Sequence, residues 1–165
     1  MGWAEEVVGT DRGMRVVSPD AVHLTMAFLG HRAMDEIEPL SELVSGLDGV
    51  AAPVPLRTAG ALWLSPRKPH VLTVAVADET GVLRALHERL WEGLEDLGHV
   101  RERRTFRPHL TVARVRHGWT APNHRLPDFP DRPLQPSALV LLRSWLGGGP
   151  ARYEPLARAE FAAES

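Results

Sequence analysis

The 165-residue chain contains no cysteine. That excludes a disulfide framework, a thiolate metal site and a cysteine nucleophile. The chain also lacks any run of roughly 18 apolar residues, so no membrane span is expected. Its start, MGWAEEVVGT, has no basic segment leading into an apolar one, and Glu6 stands where a myristoylation signal needs Ser or Thr. A soluble, cytoplasmic protein is the default expectation, with no membrane partner. Net charge is nearly absent as well: 19 basic and 21 acidic side chains leave −2. Bulk charge therefore gives no attraction for a polyanion, and any nucleic-acid contact must come from a local patch. What the chain does have is 44% hydrophobic residues, enough at this length for one compact domain with its own core.

Hydrophobic periodicity orders the chain. MRVV reads as a short extended piece, followed by a Ser-Pro-Asp turn and a strand with Val22, Leu24 and Met26 on one face and His23 and Thr25 on the other. Met34, Ile37, Leu40, Leu43, Val44 and Leu47 fall at helical spacing and predict one helix, entered through Asp35 and Glu36, with Pro39 near its first turn. VPLRTAGALWL and VLTVAVAD predict an antiparallel hairpin around the turn SPRKP, the second strand lying inside a sheet. Leu83, Leu86, Leu90, Leu94 and Leu97 draw one apolar helical stripe. RPHLTVARV is a further strand, and Pro108 suggests an edge or a strand start. A long polar loop follows, and two last strands flank a Gly-Gly-Gly-Pro turn. Strand pairs mixed with two long helices point to an α+β fold with mainly antiparallel sheet.

The tripeptide His-Leu-Thr occurs twice, at 23–25 and at 109–111. Positions two apart in a strand face the same way, so each copy sets an imidazole beside a hydroxyl, His23 with Thr25 and His109 with Thr111. Two such pairs facing one substrate suit phosphoryl transfer: a neutral imidazole takes a proton from the attacking oxygen and a protonated one gives a proton to the leaving oxygen. Hydroxyls and an arginine can hold the non-bridging phosphate oxygens. A metal centre is the weaker reading, because no third ligand stands at helical or strand spacing beside either histidine; no metal and no cofactor are expected. Arg101, Arg103, Arg104 and Arg107 gather ahead of the second motif, Arg107 nearest to His109, and Arg67 and Lys68 add charge in the hairpin turn. Trp63, Trp91 and Trp145 are expected in the core, whereas Trp119 opens a polar loop where packing and cover over a ligand are both open. His87, on the leucine-striped helix, reads as a partly buried core histidine.

HLTMAFLG and RPHLTVARV, with coverage from about Met14 to RSWLGGGPARYEPL, resemble the two-histidine (2H) phosphoesterase superfamily, in its RNA 2',3'-cyclic phosphodiesterase or 2'-5' RNA ligase-like branch. The resemblance implies a single bilobal domain over 1–165: two pseudo-symmetric lobes of mainly antiparallel sheet with flanking helices, each lobe lending one His-x-Thr strand to a central cleft. It implies metal-independent opening of a 2',3'-cyclic phosphate, on an RNA end or a small nucleotide, to a 2'-phosphate. His23 would be the acid for the ribose O3' and His109 the base for water, with Thr25, Thr111 and Arg114 on the phosphate and Phe28 placed to stack on a base. Strict alternation turns Phe28 and Arg114 away from the histidines, so a bulge, a twist or a strand end has to re-aim them. For Phe28, core packing is the competing reading. Other outcomes of the same site are a non-catalytic nucleotide- or phosphate-binding module and, as the reverse reaction, 2'-5' RNA ligation. Family members open with a strand resembling RLFVAI and a helix; here WAEEVVGT resembles only the tail of that helix, and the first strand is expected to be missing.

Overall fold

Those periodicities resolve into three α-helices and seven strands in the computed structural model, which describes residues 2–49, 55–64, 67–122, 125–145 and 151–162. In chain order they are α1 (Gly2–Val8), β1 (Met14–Val16), α2 (Ile37–Ser45), β2 (Leu56–Leu64), β3 (Val71–Ala77), α3 (Val82–Asp96), β4 (His109–Val115), β5 (Pro133–Leu134), β6 (Ala138–Trp145) and β7 (Arg152–Glu160). Short 3-10 turns stand at Pro19–Ala21 and Met34–Glu36, the latter leading into α2 as the acidic entry residues suggest. The Gly-Gly-Gly-Pro turn at 147–150, Ser65 and Pro66 of the hairpin turn, and His124 lie outside the described residues. No helix among the described residues is long and apolar enough to cross a membrane.

The chain divides into two compact units. The first, Met1–Thr25 with Arg57–Ala77 and Arg107–Pro133, carries a five-stranded sheet in the order β1-β4-β3-β2-β5. The β1–β4, β4–β3 and β3–β2 pairings are antiparallel. β4 is thus an interior strand, and Pro108 precedes it, where a missing N–H removes nothing from the ladder. One face of the sheet is apolar: Leu72, Val74, Ala113 and Met14 pack with Ala4 and Val8 of α1. Leu72, Val74 and Ala113 are fully buried, the packing expected of a run as continuously apolar as VLTVAVA. Trp3 closes the margin, edge-on to Phe129 at 5.0 Å and donating its indole N–H to the Asp128 carbonyl. In β2 a bulge between Thr58 and Ala61 is taken up by Gly60 at φ +90°, a conformation that other residues rarely adopt.

The second unit, Met26–Leu56 with Asp78–Phe106 and Leu134–Ser165, carries the antiparallel pair β6-β7 and the helices α2 and α3. Leu40, Val44, Leu90, Trp91, Leu94, Leu139 and Ala159 form its core. Gly93 lets α2 approach α3, since a methyl group there would collide with Leu43. Leu97 departs from the leucine stripe: α3 ends at Asp96, and Leu97 is left 42% exposed. Trp145 departs likewise. It lies near the end of β6 with its ring half exposed, beneath the Arg143 guanidinium at 4.2 Å, instead of in the core. His87 is buried: its ring stacks on Phe106 at 3.9 Å, and its Nε2 accepts the Trp91 indole N–H at 3.1 Å. Burial pushes its pKa down, against the opposing pull of Glu88.

Candidate active site

Both His-x-Thr motifs lie in the first unit, rather than one in each. The reason is an isolated antiparallel bridge between Leu24 and Leu110, which makes the first motif a neighbour of β4. The segment from Val22 to Met26 forms no regular strand beyond that single bridge, in contrast to the strand its alternation predicts. Upstream, β1 pairs with the far half of β4, and the Val17 N–H still reaches the Val112 carbonyl at 2.9 Å. The turn at Pro19–Ala21 then carries the chain outward, and Leu24 returns beside Leu110.

The bridge fixes the pairing on either side of it. In an antiparallel register with Leu24 opposite Leu110, His23 stands opposite Thr111 and Thr25 opposite His109. Directly opposed side chains have Cβ atoms about 4.5–5.5 Å apart and diagonal ones about 7–8 Å. Continued one residue to either side of the bridge, that register would set the two hydroxyls and two imidazoles as a crossed quartet, with His23 diagonal to His109. Leu110 pairs with Val74, which places Leu24 and Leu110 on the apolar face and the quartet on the opposite one. Both histidines and Thr111 are half-buried, and Thr25 is exposed.

The two imidazoles share one backbone contact. His23 Nδ1 lies 2.8 Å from the Ala21 carbonyl oxygen and His109 Nδ1 lies 2.7 Å from that of Arg107, in each case two residues back. A carbonyl oxygen only accepts, so each Nδ1 carries the hydrogen, and Nε2 is the nitrogen left to face a ligand. The backbone carbonyl thus fixes both tautomer and ring orientation.

A β-bulge answers the parity problem at Arg114. Leu72 pairs with Ala113 but Thr73 pairs with Thr111, so Val112 has no opposite number on β3. Paired residues share a face. Ala75, Thr73 and Val71 alternate onto one face of β3, and their partners are His109, Thr111 and Arg114. The extra residue shifts the alternation by one and brings Arg114, exposed, onto the histidine face. Arg107 contributes its carbonyl to His109, and its side chain is exposed. Phe28 belongs to the second unit and is 69% exposed, so it is no core residue. Arg15 escaped the sequence reading, yet it pairs with Arg114 and so shares the same face. The alternation in GMRV carried that signal, but only the register shows which side of the sheet it reaches. Among the described residues no group of three or more His, Cys, Asp or Glu side chains is placed to hold a metal ion.

A model of the 2'-5' RNA ligase superfamily matches residues 12–144. An RNA 2',3'-cyclic phosphodiesterase of Thermus thermophilus is 33% identical over 130 residues, covering 75% of this chain and 63% of that protein. The chain spans 35% to 63% of the length of the curated relatives it matches, all named RNA 2',3'-cyclic phosphodiesterase. Among solved structures, TT0787 of Thermus thermophilus superposes with a TM-score of 0.80 at 28% identity, over 98% of this chain and 90% of that one. E. coli LigT complexed with 3'-AMP superposes with a TM-score of 0.74 at 22% identity, over 98% and 92%, a likeness of fold.

Proposed function

Because the chain belongs to the 2'-5' RNA ligase superfamily, we propose that it hydrolyses ribonucleotide 2',3'-cyclic phosphates, on an RNA end or a small nucleotide, to the 2'-phosphate. The Leu24–Leu110 bridge supports this reading most, since it makes the middle residues of the two His-Leu-Thr tripeptides neighbours. The names of the curated relatives support it.

In the proposed reaction His109 Nε2 takes a proton from water as the oxygen attacks phosphorus. The bond from phosphorus to O3' breaks, and His23 Nε2, protonated beforehand, gives its proton to O3'. The bond to O2' stays. Thr25, Thr111 and Arg114 hold the non-bridging oxygens, whose charge rises as the fifth oxygen bonds. After one turnover the two imidazoles have exchanged protonation states, and exchange with solvent resets them. No step requires a metal.

Incubation with 2',3'-cyclic AMP in EDTA tests the proposal. Formation of 2'-AMP is expected; binding without product identifies a nucleotide-binding module, and 3'-AMP as product reverses the assignment of the leaving oxygen.

A further inference from the structure

The histidine face continues past Arg114. The Arg116 N–H donates to the Gly13 carbonyl at 2.7 Å, so the β1–β4 ladder extends one pair further, Gly13 opposite Arg116 beyond Met14 opposite Val115. Alternation then puts Arg116 and Gly13 on the face of Arg114 and Arg15. Three guanidinium groups occupy that end of the sheet. None of the three has a carboxylate within ion-pair distance among the described residues. Like charges placed directly opposite, as Arg15 and Arg114 are, destabilise a strand pair unless an anion lies between them. Trp119 adds an aromatic surface. Its ring lies where a side chain of Gly13 would be, a methyl there coming within 2.6 Å of it, while the indole remains 56% exposed. A glycine in the ladder thus makes the seat for an exposed tryptophan beside three arginines that have no ion-pair partner among the described residues.

We propose that Arg15, Arg116 and Trp119 form a second subsite, which holds the nucleotide preceding the cyclic phosphate through its phosphodiester and its base. The inference rests on the reaction assigned above and deepens it: the preferred substrate is an RNA 3' end, not a free cyclic mononucleotide. Guanidinium groups that track a backbone beside an aromatic platform are the means by which single strands are bound without sequence readout. Arg114 and Arg116 lie at successive positions on the face beyond Thr111, each step about 7 Å along the sheet. A strand that ends in the cyclic phosphate continues only on its 5' side, and the arginines beyond Thr111 are the basic groups on this face that its next phosphates would meet.

The test compares two ligands on the full chain. Hydrolysis of 2',3'-cyclic AMP and of a triadenylate ending in a 2',3'-cyclic phosphate is measured for the parent protein, Arg116→Gln and Trp119→Ala, together with binding of 2'-AMP and of the triadenylate 2'-phosphate. The parent is expected to prefer the trinucleotide roughly tenfold in kcat/KM and in Kd, and each variant to lose most of that preference while its handling of the mononucleotide stays as before. The preference of the parent should fall with added salt. Equal handling of both ligands by the parent, or a preference that survives in both variants, overturns the subsite. Binding is read even where neither ligand turns over, so loss of the hydrolytic reading and loss of the subsite are separate results. Both side chains are exposed, and an unchanged unfolding temperature shows that the variants are folded.

Discussion

The two His-Leu-Thr copies are identical in sequence and unequal in support. The second lies in β4, with neighbours on both sides and a core beneath it. The first hangs on one bridge, with a 3-10 turn close behind it. Yet both imidazoles make the same bond, Nδ1–H to the carbonyl two residues back. A strand is therefore not needed to aim such a histidine; a local carbonyl suffices, provided one contact fixes the register. The difference lies in backbone pairing, which should make the first motif the softer of the two.

The largest effect should come from removing either imidazole. His23→Ala and His109→Ala each lose one proton transfer, and kcat on 2',3'-cyclic AMP should drop roughly 10²–10⁴ fold with the fold intact. Full activity in either variant would dissolve the pairing. Next comes the bulge. Val112 is the extra residue, so deleting it leaves Arg114 two positions beyond Thr111 on the same face and should spare phosphate binding, whereas Arg114→Gln should weaken it about ten- to a hundredfold in Kd for 2'-AMP. Unaltered affinity in Arg114→Gln removes that residue from the site. Support is then compared directly by amide exchange: the Leu24 and Thr25 amides should exchange at least about tenfold faster than those of Val112 and Ala113. Equal protection would show that the single bridge holds as firmly as the strand.

The smallest effect concerns His87, in the second unit. Burial keeps its folded pKa below the ordinary value, so the unfolded chain takes up this proton first as pH falls. Its contribution to stability is complete above about pH 6.5 and declines below that, through the lower folded pKa. His87→Gln should flatten the fall in unfolding temperature between pH 7 and 5; an unchanged slope would place the acid sensitivity elsewhere.

Much of this was legible in the sequence. The leucine stripe gave α3, the apolar run gave interior strand β3, and the repeated tripeptide pointed to two segments that one bridge makes neighbours. Arg114 reaches the face of His109 only through a bulge, because alternation alone contradicts it; Val112 differs in no local way from its neighbours, and the bulge shows only in the pairing with β3. The strand expected at Val22–Met26 shrank to a bridge because tertiary pairing, not alternation, decides how long a strand runs. Trp145 and Leu97 both failed as core residues at element ends, where periodicity continues but the neighbouring layer does not.

That two imidazoles share one phosphate is tested most directly by following the ¹⁵N resonances of His23 and His109 as 2'-AMP is added. Both Nε2 signals should shift with a single Kd while both Nδ1 sites keep their hydrogen. A shift at one ring only, or two different affinities, would contradict it.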